Sequence, residues 1–313
     1  MAEPFFSVVI PNYNGGQRLR GCLQSLDGQI FRDFETLVVD NGSTDDSVPM
    51  VEREFPAVRL IRLPEPAGFA RPVNEGIRQS AGRWIFTLNN DAEAERACLE
   101  QVRRAIDDHP GYAFFACRLV FRYQPGVINS AGHALSRRLL VVDRGVFEPA
   151  ARYDEEADVL GACAAAAAYR RDLLNELGGF DEDLSMYYED ADLGVRAQLA
   201  GYRCRYLPQA TVHHVHAATL GATSPRAVHL TSRNRLLLLA KSIPPALLLR
   251  HGLRVALGPF PGDCELAASG RTRLALRPLA AALRLMPRFL LKRIALRRRY
   301  PASGAALERF LVN

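Results

Sequence analysis

Four short apolar runs in the first ninety or so residues constrain the fold more than any other feature of the sequence. They are FFSVVIPNYN (5–14), FETLVVDNGS (34–43), VRLIRLP (58–64) and RWIFTLNND (83–91), each closed by Asn, Asp, Gly or Pro. Each has the length of a strand buried on both faces. Between them LRGCLQSL (19–26), DDSVPMVEREF (45–55) and ARPVNEGIRQSA (70–81) carry the helical period. The order βαβαβαβ predicts a largely parallel sheet flanked by helices, in which ligands bind beyond the carboxyl ends of the strands. Those ends carry Asn12 and Asn14, then Asp40 and Asn41, then Asn89, Asn90 and Asp91. Turn formation and helix capping account for Asn14–Gly16 and Ser43–Asp46 as well as a binding role does. For Asp40 and Asp91, each directly behind a hydrophobic run or its Asn pair, function is the stronger expectation.

At 313 residues the chain is long enough for one large domain plus an extension. Of its 40 basic residues 17 lie after His216, but only 3 of its 34 acidic ones do, so a strongly basic tail follows an acidic body. Such a tail meets phosphates, of a membrane or of nucleic acid. The six cysteines form no CxxC pair, and MAEPFF runs straight into SVVIP with no secretory leader. Reduced thiols and a cytoplasmic location are the expectation. No apolar run reaches the ~18 residues of a membrane span. GxGxxG, P-loop, GxSxG, zinc spacings and internal repeats are absent. GGQRLR is only faintly similar to the glycine-rich loop of sugar nucleotidylyltransferases.

Taken together, SVVIPNYNGG, LVVDNGSTDDS, GFARPVNEGI, LNNDAE and GGFDEDLSMYYEDADLGVR, in this order, resemble the family-2 glycosyltransferases. The resemblance runs from about residue 5 to 240, and AGHAL (131–135) places it nearest the bacterial rhamnosyltransferase-like and galactofuranosyltransferase-like branch. It implies an α/β protein of GT-A fold, a Rossmann-like, mostly parallel sheet, with residues 1–240 as catalytic domain and 241–313 as a basic helical extension. It implies a nucleotide-sugar donor held by Pro11, Asn12, Tyr13 and Asp40, with Asn90 beside them. Arg71 and Asn74, at the start of the third helical segment, would meet donor phosphate or join a structural ion pair, and Arg233 of the RN pair in LTSRNRLLLLAK would meet donor or acceptor phosphate or lie on plain helix surface. The family's Asp-x-Asp metal motif falls on Asn89 and Asp91, so Asn89 replaces one carboxylate. Asp91 plus phosphate and water would still hold Mg²⁺ or Mn²⁺, with Glu93 as an added carboxylate. The family's diphosphate- or metal-binding His falls on His214, in preference to His216. In an extended segment His214 and His216 point one way and His213 the other.

Inverting sugar transfer requires a base for the acceptor hydroxyl. YYEDADLGVR offers Glu189, Asp190 and Asp192. The resemblance gives the base role to Asp190, with Glu189 orienting the acceptor or exchanging roles with it. Asp192 is four residues before Arg196 and suited to a helical ion pair. In the tail, Arg273, Arg277, Arg284, Arg288, Lys292 and Arg299 share one helical face, while Pro278 and Pro287 should break or kink the run. That face either lies solvated on a helical pair covering the catalytic domain or rests on anionic lipid beside a glycan or polyprenyl-linked acceptor. No aromatic platform accompanies the charge, which speaks against nucleic acid. The expected activity is an inverting, metal-dependent glycosyltransferase of cell-envelope polysaccharide synthesis, possible donor rhamnose, peripheral at the inner face of the membrane. The alternatives are a sugar nucleotidylyltransferase, which would release pyrophosphate, and an inactive nucleotide-sugar-binding scaffold.

Overall fold

The computed structural model of the chain describes residues 3–215, 224–257, 272–301 and 304–312. All four expected strands form: β1 (Phe6–Asn12), β2 (Phe34–Asp40), β3 (Arg59–Arg62) and β4 (Trp84–Leu88). The helices between them are α1 (Gly16–Asp27), α2 (Ser47–Glu54) and α3 (Ala70–Gln79). Strand β1 pairs in parallel with β2 and β4, and β2 with β3, giving the order β3-β2-β1-β4. Alternation along β1 divides the core. Val8 and Ile10 pack with Leu19 and Leu23 of α1 on one face, while Val9 meets Val73 of α3 on the other. In register, Asn12 lies beside Asp40, so two polar strand ends meet at one edge of the sheet.

Past β4 the chain adds β5 (Ala92–Ala94), α4 (Cys98–Asp108), β6 (Phe114–Phe121), β7 (Gln124–Ser130), β8 (His133–Ser136), β9 (Val141–Asp143), β10 (Ala157–Val159) and β11 (Ala166–Arg170). Then follow α5 (Arg171–Leu177), α6 (Glu189–Leu199) and β12 (Cys204–His214). The sheet continues β4-β11-β6-β12-β10, with β11 antiparallel to both neighbours. This second half is therefore mixed. Strand β11 is the alanine run, whose small side chains are wholly buried and admit helices close on either side.

The tail forms α7 (Pro225–Lys241), α8 (Pro245–Leu257), α9 (Thr272–Arg299), α10 (Ala305–Glu308) and β13 (Leu311–Val312). It shares a core with the preceding residues: Leu238, Ile243, Leu247, Leu307 and Phe310 pack with Leu135 and Val195, and β13 pairs with β8. Helix α9 continues through both Pro278 and Pro287 instead of ending at either. Its cations do not share one outward face. Lys292 binds Asp181 and Asp183, Arg288 lies 2.7 Å from Asp183, and Arg299 lies 3.8 Å from Glu176. The side chain of Arg273 lies outside the described residues. Leu279, Leu283, Leu290, Leu291 and Ile294 are exposed, in the company of the exposed Arg277, Arg284, Arg297 and Arg298.

Candidate active site

The carboxyl ends of β1, β2 and β4, the start of α6 and the start of α7 enclose a cleft of about 410 Å³. Pro11, Asn12, Tyr13 and Asn41 line one end. Asn12 Nδ2 donates to Asp40 Oδ1 at 3.0 Å and to Ser43 Oγ at 3.1 Å, and Asn12 Oδ1 accepts from Asn90 Nδ2 at 2.8 Å. Asp40 Oδ2 accepts from the Ser43 amide at 3.1 Å. Asp40 is thus buried behind Asn12 and fixes it, rather than forming the cleft wall. Asn41 was not singled out from sequence. Its side chain donates to Gly68 O at 2.7 Å and accepts from Ala67 N at 2.8 Å, which ties β2 to the loop before α3.

At the centre lie Asn89, Asn90, Asp91 and His214. His214 Nδ1 sits 2.7 Å from Asn129 Oδ1, which orients the ring from behind so that Nε2 faces Asp91 Oδ1 at 3.2 Å. Burial raises the Asp91 carboxyl, but the hydrogen bond and charge of His214 outweigh it and leave the group below its ordinary range. Asn89 Oδ1 is buried without a hydrogen-bond partner, while its Nδ2 lies 3.4 Å from His214 Nε2. A buried carboxylate, an imidazole nitrogen oriented from behind by Asn129 and an unsatisfied amide oxygen together fit a divalent cation. His213 turns outward to Glu95 at 3.1 Å, as alternation along a strand requires, and His216 lies outside the described residues. Glu93 pairs with Arg122 and does not line the cleft.

The three carboxylates of α6 have three different environments. Asp192 is fully buried and accepts from Arg196 Nε (2.7 Å), Lys241 Nζ (2.8 Å) and Ser242 Oγ (2.9 Å). Burial opposes its charge, yet Lys241 and Arg196 hold its pKa far below the ordinary value. Glu189 lines the cleft but is 5% exposed, and its Oε2 has no partner. Burial, then the charges of Asp190 and Asp192, push its pKa well above the ordinary carboxylate range. Asp190 is half-buried; Oδ2 accepts from Ala164 N at 3.0 Å and Oδ1 from Ala191 N at 2.7 Å, which leaves lone pairs toward the cleft.

Just ahead of these residues, Ser185, Tyr187 and Tyr188 all have left-handed backbones, with φ of 65°, 67° and 69°. Each costs on the order of 1 kcal/mol or more and persists only where its surroundings impose it. The fully buried Asn234 does so, donating to the carbonyls of Leu184, Met186 and Tyr187 at 2.7–2.9 Å. Gly68 (φ 77°) lies so close that a Cβ there would meet Ser185 Oγ at 2.2 Å. Burial, with Asp143 and Asp190 nearby and Arg235 opposing, pushes Tyr188 up to about 12.

Three residues expected at phosphate are elsewhere. Asn74 donates to Phe180 O (2.8 Å) and Glu182 Oε1 (3.0 Å), joining α3 to the loop before α6. Arg71 is exposed and does not line the cleft. Arg233 donates to Asn234 Oδ1 and Leu184 O, both at 2.8 Å, supporting the strained loop from outside. Sequence reasoning named Asn41 only as a strand-end residue and missed Asn129, Asp143 and Cys163, while His133 lies inside AGHAL, where it was given no role.

The glycosyl transferase family 2 model matches residues 7–178, more than half of the chain. The N-acetylglucosaminyl-diphospho-decaprenol L-rhamnosyltransferase of Mycobacterium tuberculosis is 28% identical over 256 residues, covering 73% of this chain and 81% of that protein. The O-antigen biosynthesis protein RfbC of Myxococcus xanthus is 26% identical across 72% of this chain, which spans only 18% of RfbC. The uncharacterized protein y4gI of Sinorhizobium fredii is 25% identical, and the chain spans 25% of its length. Among solved structures, residues 1–349 of Staphylococcus aureus TarS with UDP-GlcNAc superpose at TM-score 0.59 and 20% identity, covering 97% of this chain and 91% of that one. The Pyrobaculum calidifontis mannosyltransferase PcManGT with GDP-Man and Mn²⁺ gives 0.56 at 19% identity, over 97% and 89%. These likenesses establish the GT-A fold, and the family match, joined to the strand-end and α6 residues above, places the chain in glycosyl transferase family 2.

Proposed function

We propose that the protein moves a sugar, with rhamnose first in line, from a nucleotide donor to a lipid-linked glycan with inversion at the anomeric carbon. One observation carries the assignment of the base. Of the three carboxylates at the start of α6, only Asp190 is both half-exposed at the cleft and unpaired with an Arg or Lys among the described residues. Asp192 is committed to Arg196 and Lys241, and Glu189 is buried with its pKa pushed up by burial. Asp190 accepts the proton of the acceptor hydroxyl as its oxygen bonds to the anomeric carbon. The bond from that carbon to the phosphate oxygen breaks on the opposite face, and nucleoside diphosphate leaves. Backbone amides of Ala164 and Ala191 hold the Asp190 oxygens in place, and Glu189, at the cleft wall, orients the acceptor.

Pro11, Asn12, Tyr13 and Asn41 form the nucleotide end, with Tyr13 against the base and Asp40 fixing Asn12. Asp91 and His214 hold Mn²⁺ or Mg²⁺, and the imidazole in this donor set favours Mn²⁺ over the oxygen-loving Mg²⁺. When bound, the cation supplies countercharge for the departing diphosphate. The rhamnose preference rests on the mycobacterial relative.

No helix among the described residues is long and apolar enough to cross a membrane. The exposed leucines of α9, flanked by Arg277, Arg284, Arg297 and Arg298, instead suit the interface of an anionic bilayer, which would bring the cleft to a lipid-linked acceptor. The test is nucleoside diphosphate release by purified protein across a panel of nucleotide sugars, with Mn²⁺ or Mg²⁺ and membrane lipid extract. Release from one donor, dependent on the extract, supports the reading. Pyrophosphate formed from sugar 1-phosphate and nucleoside triphosphate overturns it.

A further inference from the structure

A second group of metal-binding side chains stands beside Asp190. His133 is the first residue of β8, Asp143 the last of β9, and Cys163 lies in the loop before β11. One donor atom from each lies within 4.8 Å of the other two. His133 Nε2 is 3.7 Å from Asp143 Oδ1 and 3.9 Å from Asp190 Oδ2, both beyond hydrogen-bond length. His133 Nδ1 is buried with no hydrogen-bond partner, and the residue is only 5% exposed. A buried imidazole whose Nδ1 has no hydrogen-bond partner is unusual, because buried polar groups are otherwise paired. Its backbone is fixed, since His133 N donates to Gly161 O at 2.8 Å and His133 O accepts from Leu160 N at 2.9 Å. The ring is therefore held in position without a side-chain partner of its own.

We propose that His133, Asp143 and Cys163 form a binding site for a thiophilic divalent cation of the Zn²⁺ class, with Asp190 as the fourth donor. Four donors at Zn–N, Zn–O and Zn–S distances of about 2.0–2.3 Å stand roughly 3.3–3.8 Å apart in a tetrahedron. The separations of 3.7 and 3.9 Å already approach that spacing. Imidazole with thiolate selects Zn²⁺ over Mg²⁺ or Mn²⁺, so the site is chemically distinct from the Asp91–His214 pair. Burial, and then the charges of Asp143 and Asp190, push the Cys163 thiol well up and keep it protonated without metal. Zinc binding breaks that S–H bond, forms Zn–S and releases one proton to the buffer. Resting on the reading of Asp190 as base, the consequence is inhibition: a zinc ion bound to the carboxylate occupies the lone pairs that the acceptor proton needs.

Full-length protein stripped of metal, titrated with Zn²⁺ against a chromophoric chelator and separately with Co²⁺, tests the site without any turnover. One equivalent should bind, and Co²⁺ should show a thiolate-to-metal charge-transfer band. Cys264 lies outside the described residues and the other described cysteines are buried, so loss of the band in Cys163→Ser is what assigns it to Cys163. Cys163→Ser should remove the band and weaken Zn²⁺ by more than the ~100-fold that loss of a mere supporting residue can cost. Asp143→Asn, a second variant should the first fold poorly, should weaken Zn²⁺ and keep the band. Equal Zn²⁺ affinity in wild type and Cys163→Ser, or a Co²⁺ spectrum without the band, overturns the site. In the transfer assay with excess Mn²⁺, Zn²⁺ should inhibit the wild type and spare Cys163→Ser. Zinc that binds with the band in place but leaves transfer untouched supports the site and overturns Asp190 as the base.

Discussion

Replacing Lys241 by Met separates the structural carboxylate of α6 from the chemical one. Lys241 Nζ lies 2.6 Å from Asp181 Oδ2 and 2.8 Å from Asp192 Oδ2, and all three side chains are at least nine-tenths buried. Removing one partner of such a buried pair costs ~3–5 kcal/mol, because the remaining charge stays out of water. Arg196 and Ser242 remain on Asp192, and Lys292 remains on Asp181, so the loss should fall near the lower end, about 3 kcal/mol. Burial raises both carboxyls, but Lys241 and the other cations outweigh it and depress both. For depressed acids the unfolded chain binds more protons. The stability they add is therefore complete above the unfolded Asp pKa of about 3.9 and is lost as pH falls from there toward the native values. Urea unfolding followed by the fluorescence of Trp84, from pH 7 to pH 3, should show a steep acid loss in wild type. Lys241→Met should start about 3 kcal/mol lower and lose less on acidification. Turnover per folded molecule at pH 7 should be unchanged. A loss below about 1 kcal/mol, the range of an exposed pair, would refute the buried-network argument. Turnover that collapses in fully folded Lys241→Met would refute the purely structural role of Asp192.

Glu189→Gln replaces a buried carboxyl whose pKa is raised by burial with a neutral hydrogen-bonding group. Because the native pKa is raised, wild-type stability falls as pH climbs past the unfolded Glu value of about 4.3. The variant should therefore be the more stable of the two at pH 7, with no advantage near pH 4 in the same urea series. Asp91→Asn should raise the Mn²⁺ concentration needed for half-maximal transfer by at least about tenfold while leaving the urea midpoint near wild type, read from metal titrations of initial rate. Leu283→Glu with Leu290→Glu on α9 should abolish sedimentation with vesicles containing anionic lipid and leave donor binding intact. Equal sedimentation of wild type and variant would remove that face as the membrane contact.

The first four strands could be read from sequence because each is a continuous apolar run closed by turn residues, and parallel pairing brings their polar ends together. The antiparallel placement of β11 could not. Ala164–Ala168 lacks any period because it is buried on both faces, and its direction depends on how the chain returns from β10. Asp91 and His214 could be paired because the family resemblance places both at the metal or diphosphate, with alternation turning only His213 away, and the structure brings them to 3.2 Å. Asn74 and Arg233 misled because a polar residue in a helix's first turns reads alike whether it meets a phosphate or a neighbouring carbonyl. Here Asn74 meets Phe180 O and Arg233 meets Leu184 O. The buried guanidinium of that helix is Arg235, two residues on and roughly on the opposite side. On α9, the sequence pattern put six cations on one face, but it could not show that Asp181, Asp183 and Glu176 would meet Lys292, Arg288 and Arg299.

The central claim is that Asp190 takes the acceptor's proton. The most direct measurement is kcat for nucleoside diphosphate release at saturating donor, acceptor and Mn²⁺, in wild type and Asp190→Asn, with donor affinity measured alongside. A general base contributes ~10²–10⁴ in rate, so kcat should fall by that factor with donor affinity unchanged. A kcat within about tenfold of wild type, below that range, would contradict the assignment.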